Sequence, residues 1–134
     1  SYVWFGFVFV CAFPPTSALE IFDFKQPLDT KEDHYQLGFE IGQRYGHSIR
    51  ERLNGNVVLQ NRVLAYFRND HNGNLTYHAF YDNQMEAFPL YMEELKGMAH
   101  GSKIDEDELF MSNLFEEFSA LLPNKSGVGV DGCT

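Results

Sequence analysis

Three glycines spaced by four residues, Gly38, Gly42 and Gly46, sit inside a stretch whose apolar residues keep a helical period. Leu37, Ile41, Tyr45 and Ile49 also recur at every fourth position and form a stripe beside them. An internal glycine costs a helix about 1 kcal/mol relative to alanine, so three on one face call for a compensating contact. The expected contact is a second backbone, packed where side chains would not fit. A ligand passage along the same groove is the alternative; close approach at glycine more often serves packing.

The helix carrying this stripe is expected from about Asp33 to Leu53, with Asp33 as its cap and Gln36 as the reciprocal partner three residues on. Asn54-Gly55-Asn56 then turns the chain. A second helix is expected over Val57 to Arg68, with Leu59, Val63, Tyr66 and Phe67 inward, and Asp70 to Asn74 breaks the pattern. A third helical stretch covers roughly Thr76 to His100, interrupted at Pro89, which removes a backbone donor; Gly101 suits its C-terminal cap. The last helix opens at Asp105, where Glu108 completes a capping box and Ile104 faces Leu109 as a hydrophobic staple. Leu109, Phe110, Leu114, Phe118 and Leu121 supply its buried face up to Pro123. Capping and the helix dipole explain the acidic run Asp105 to Glu108 better than a metal cage does. Upstream, Leu19 to Phe24 alternates apolar and polar like a half-buried strand, and Gln26-Pro27 ends it.

Residues 1–18 differ in kind. Tyr2 to Phe13 carries no charge, and Pro14, Pro15, Thr16, Ser17 and Ala18 follow. About a dozen apolar residues are too few for a bilayer, which needs roughly 20, so no stable membrane span is expected. The segment fits the apolar region of a signal peptide with cleavage near Thr16-Ser17-Ala18; a buried strand, or upstream sequence wrongly joined to the gene, is the alternative. A secretory or extracellular location follows from the first reading. The sequons Asn74-Leu75-Thr76 and Asn124-Lys125-Ser126 are compatible with it. A net charge of −9 with no basic stripe argues against nucleic acid as a partner, because phosphate binding needs lysine and arginine.

Little in the interior suggests chemistry. His34, His47, His71, His78 and His100 show no metal-ligand spacing and read as surface or core-edge residues. Glu116 and Glu117 are adjacent on a helix, about 100° apart, so at most one faces inward. No phosphate loop, dinucleotide fingerprint or serine elbow is present. Of the two cysteines, Cys11 would leave with a signal peptide and Cys133 would stand alone, so no disulfide framework arises. Asn124 to Gly132 is a Gly-rich connector that leads straight into Cys133. A lone loop cysteine is either a reactive thiol or a small hydrophobe.

Asp131-Gly132-Cys133-Thr134, following these helices, resembles the acyl-coenzyme A:6-aminopenicillanate (isopenicillin-N) acyltransferase family. Tyr35 to Gln43 (YQLGFEIGQ) is similar to that family's opening helix. Phe88 to Ser102 (FPLYMEELKGMAHGS) is similar to its Pro-Tyr-Glu-Glu-Gly segment, and Glu108 to Phe118 to the helix ending Asn-x-Arg-x-Glu. In that helix Asn113, Glu117 and Phe118 match, whereas Phe115 stands where the family usually has arginine. The resemblance covers about residues 19–134.

It implies an α+β fold, the four-layer αββα sandwich of N-terminal-nucleophile hydrolases, of which this chain would be the N-terminal part. Residues 1–18 would be the signal peptide, 19–132 a mainly helical segment with one short strand and about four helices, and 133–134 the start of a β-rich catalytic subunit. That subunit would be the segment's partner after processing. The resemblance further implies self-cleavage between Gly132 and Cys133, with Cys133 as nucleophile and Thr134 in support. Substrates would be small acyl amides or thioesters, with no resident cofactor or metal and acyl-coenzyme A as a possible co-substrate. The thiol chemistry suits these residues, since an α-amine with a pKa near 7.7–8 can deprotonate its own side chain. Without the β-rich subunit the chain would be inactive. The competing reading is a non-catalytic secreted helical interaction module.

Overall fold

The computed structural model describes residues 22–123, and every regular element among them is helical. The long helix α1 spans Lys31–Gly55. A helical stretch follows that opens at Val57, makes a π-helical turn over Leu59–Val63 and continues as α2 at Leu64–Asn69. Helix α3 spans His71–Ala87, α4 Pro89–Ser102, α5 Glu106–Asn113 and α6 Phe115–Ala120. The expected strand is not seen where it can be judged: Phe22 to Phe24 is irregular, and residues 19–21 lie outside the described range. Among the described residues no second strand offers ladder hydrogen bonds. Instead, the Phe22 ring meets the edge of Tyr45, 6.3 Å away, with Arg44 over its face.

Local chemistry sets the helix ends, in several places differently from expectation. Thr30, not Asp33, caps α1. Its hydroxyl accepts the Asp33 amide at 3.1 Å while the Asp33 carboxylate takes the Thr30 amide at 2.8 Å. The reciprocal box is present but begins three residues earlier, because the threonine–aspartate pair satisfies two helix-end donors at once. Those hydrogen bonds hold the Asp33 carboxyl below its usual range. Asp70 caps α3 by accepting the Gly73 amide at 3.0 Å, so Asn72-Gly73-Asn74 is helix instead of loop. Pro89 fully separates two helices: α3 ends at Ala87 and proline takes the first position of α4, where its missing N–H leaves nothing unsatisfied.

The backbone of the fold is the pair α1 and α4. They run parallel, since Gly38 faces Glu94 and Met98, Gly42 faces Met98 and Ser102, and Gly46 faces Ser102. A Cβ on Gly38 would lie 2.7 Å from the Glu94 carbonyl carbon; one on Gly42 would lie 2.8 Å from the Ser102 amide nitrogen. The groove is therefore filled by a helix, as the packing reading expected, and leaves no ligand passage. The contact is reciprocal. Gly97 and Gly101 of α4 lie under the backbone of Tyr35 and Phe39, where a Cβ would meet carbonyl carbons at 2.9 Å. Gly101 thus serves the seam, and the α4 cap is Lys103 in the left-handed region at φ 57°.

Below the seam the core collects Ile49 and Leu53 from α1, Leu59, Val63 and Phe67 around α2, and Leu95 from α4. Phe110 and Phe118 close it from α5 and α6. The expected last helix is broken at Leu114, whose φ of −112° and ψ of 38° leave helical space. Phe118 still points inward, but Leu121 is 45% exposed and lies off the buried face.

Candidate functional site

Gly132, Cys133 and Thr134, the residues on which the chemistry was expected, lie outside the described residues, as does the sequon at Asn124. The helices do position three sets of polar groups.

One set crosses the glycine seam. His34 in the first turn of α1 brings Nδ1 to 3.4 Å from Glu94 Oε2 of α4, and both side chains are nearly buried, at 9% and 14% exposed. The absence of side chains at Gly38 and Gly97 lets the two helices come this close. Burial pushes the Glu94 carboxyl above its ordinary value, and the hydrogen bond and charge of His34 pull it partly back. A carboxyl raised on folding stabilises the fold fully below its unfolded value and loses that contribution as pH rises through its folded value. Glu94→Gln cannot ionise. Its urea midpoint relative to wild type is therefore expected to rise as pH climbs from below the ordinary glutamate value through the raised one. A constant offset across that range would contradict this account of Glu94.

Tyr35 and His100 make a second seam contact, on the solvent side. The tyrosine hydroxyl and His100 Nδ1 are 2.7 Å apart, and the rings meet edge-on.

The third set is the acidic start of α5, whose four carboxylates each have a partner. Arg68 of α2 holds Asp107 with two bonds, Nε to Oδ2 at 2.6 Å and Nη2 to Oδ1 at 2.9 Å, and reaches Asp105 at 3.4 Å. Glu106 accepts the Tyr81 hydroxyl, and Glu108 accepts Gln60 Nε2 at 2.7 Å. The expected capping box is thus not formed. Asp105 occupies the cap position without a side-chain bond to the helix, and Glu108 turns to Gln60. The Glu108 amide, which an Asp105 cap would take, donates instead to Asp107 Oδ1 at 2.8 Å, and the carboxylates turn to their tertiary partners. Burial pushes the Asp107 carboxyl up, but the Arg68 hydrogen bond and charge outweigh it and leave it below the usual range. Burial also raises the Tyr77 and Tyr81 phenols, the latter with help from Glu106. Tyr77, His78 and Tyr81 join Asp105, Glu106 and Asp107 around a shallow, open depression of about 370 Å³. Among the described residues no group of His, Cys, Asp or Glu is arranged to hold a metal ion.

The remaining candidates are peripheral. Glu116 and Glu117 are both exposed on α6, so neither faces inward. His47 reaches Glu51 at 3.3 Å on the outer face of α1, and His71 and His78 are exposed. Phe115, which replaces the arginine expected at its position, packs against the core, a place suited to an apolar ring.

Three of the four family-like stretches meet in space. The stretch on α1 and that on α4 form the glycine seam, and Asn113 Nδ2 of the third donates to the Tyr91 hydroxyl of α4 at 3.1 Å. Sequence reading found Gly38, Gly42 and Gly46 but not their counterpart. The four-residue spacing of Gly97 and Gly101 was the available signal. The pairing of His34 with Glu94, sixty residues apart, had none.

The chain is 29% identical over 89 residues to a beta-alanyl-dopamine/carcinine hydrolase of Drosophila melanogaster. The match takes in 66% of this chain and 23% of that protein, so the chain spans about a quarter of the relative's length. No known protein-family profile matches it. No solved structure matches it either.

Proposed function

We propose that residues 22–123 are the helical scaffold of a cysteine amidohydrolase or acyltransferase that cuts itself between Gly132 and Cys133. The likeness to a hydrolase over 89 residues of the chain carries this reading. The Asp131-Gly132-Cys133-Thr134 sequence after the helices supports it. The described helices are joined by packing, ion pairs and side-chain hydrogen bonds, which fits a segment that supports a site and leaves the reacting thiol to Cys133.

In the precursor the Cys133 thiol adds to the Gly132 carbonyl carbon. The peptide C–N bond breaks, its nitrogen takes up the thiol proton, and a thioester replaces the amide. Water then cleaves the thioester, leaving a Gly132 carboxylate and a Cys133 with free thiol and free α-amine. Gly132, without a Cβ, admits the close sulfur approach. The new α-amine lies in the range that suits a general base near neutral pH. It takes the proton of its own thiol, and the thiolate attacks the substrate carbonyl. Water completes hydrolysis of the acyl-enzyme, and an amine completes transfer. The named relative acts on beta-alanyl-dopamine, so an amide joining a small acyl group to an amine is the substrate class proposed here.

Intact-mass measurement of the full-length gene product tests the proposal. Wild type is expected as two chains separated between Gly132 and Cys133, and Cys133→Ala as one uncut chain without turnover. An uncut wild type without turnover would favour the non-catalytic helical module instead, and full turnover in the alanine variant would refute Cys133 as the nucleophile.

A further inference from the structure

We propose that Asn74 is an N-glycosylation site on the outer face of α3, its glycan covering the exposed Leu75. The proposal is independent of the Cys133 chemistry. Asn74-Leu75-Thr76 is a complete acceptor triplet with no proline at its middle position. Helix α3 is anchored on one side only. Gly73 is buried against α2, where a Cβ would lie 3.1 Å from the Tyr66 carbonyl carbon and ring, and the Asp70 carboxylate takes the Gly73 amide. Successive helix residues turn by about 100°, so this anchor sends Asn74 and Leu75 away from the core. Asn74 is exposed, and Leu75 is 57% exposed, among the most open large apolar residues described. His71, Asn72 and His78 around them are also exposed, so a bulky polar group on Asn74 displaces no packed contact.

Charge and surface pattern agree with a sugar here. No lysine or arginine lies in α3, and its outer face offers mostly small or neutral polar groups beside one bare leucine. A saccharide over Leu75 would remove apolar surface from water, a gain available without any protein partner. In the folded chain the Thr76 hydroxyl already donates to the Asn72 carbonyl at 2.9 Å. Modification of the triplet therefore precedes the closing of α3, as the chain enters the secretory route expected from residues 1–18.

The test uses the full-length gene product secreted from cultured eukaryotic cells, treated with peptide N-glycosidase and read by peptide mass spectrometry. Enzymatic deglycosylation is expected to convert Asn74 to aspartate and to sharpen a mobility shift. Asn74→Gln and Thr76→Ala should each lose that shift, while Thr76→Ser keeps it. All three lie on the exposed or half-exposed side of α3 and leave its anchor intact, so the folded yield reports independently. A secreted protein with unmodified Asn74 overturns the proposal, as does a protein that never enters the secretory route. A shift that survives Asn74→Gln and disappears with Asn124→Gln also overturns it.

Discussion

Gly38→Ala is expected to destabilise the protein by about 3 kcal/mol or more, beyond most single overpacking substitutions. The added methyl would sit 2.7 Å from the Glu94 carbonyl carbon and 2.9 Å from the Met98 nitrogen, both of them backbone atoms. Backbone in the middle of a helix cannot rotate aside as a side-chain tip can. The relief available is separation of α1 from α4, which would loosen Leu37 and Leu95 and pull His34 from Glu94. A two-state region of this size should lose roughly 10–20 °C in its melting temperature. Gly55→Ala is the matched control. It adds the same methyl at the last residue of α1, where nothing lies within 4 Å and φ is not positive. Removing a flexible residue there is expected to be neutral or to add a few tenths of a kcal/mol, up to about 1. Calorimetry of the two variants decides the matter: equal melting temperatures would refute the close helix contact.

Phe118→Ala should be comparably severe, at about 3–5 kcal/mol, the usual range for emptying a buried aromatic site. Phe118 is fully buried. Its ring centroid lies 4.8 Å from Phe67, 5.1 Å from Phe80 and 5.7 Å from Phe110, so one side chain joins α2, α3 and α5 to α6. These edge-to-face and tilted pairs add to the area term but share one ring and are not additive. Helix α6 has six residues, too few to persist alone, so its amides should lose hydrogen-exchange protection first. Phe88→Ala offers the comparison. Phe88 is 57% exposed between α3 and α4, and its loss is expected to stay within about 0.5 kcal/mol. Unchanged protection of α6 in the Phe118 variant would show that this ring does not hold the helix.

Much of the scaffold was readable from residue order because its signals are local. Helical periodicity located α1, the helix around α2, and the α3 and α4 stretches, and the four-residue glycine spacing announced a backbone neighbour. In several places where local reading failed, a distant residue had changed the outcome; the caps at Thr30 and Asp70 are local exceptions. Asp105 and Glu108 have the spacing of a capping box, yet Arg68 and Gln60, 37 and 48 residues earlier, take their carboxylates. Gly101 has the look of a cap, yet the Phe39 backbone above it assigns it to the seam. The break at Leu114 likewise has no glycine or proline to announce it.

The order of residues was enough to determine that this chain makes helices, which of their faces are apolar, and that α1 must meet another backbone. It also singled out Cys133, which lies outside the described residues, as the candidate thiol. Tertiary structure alone decided that the neighbour is α4, that it runs parallel, and that His34 and Glu94 are shut together between them. The physical reason is range. Periodicity and spacing act within a few residues, whereas burial and charge pairing depend on which surfaces meet once the chain has folded back on itself.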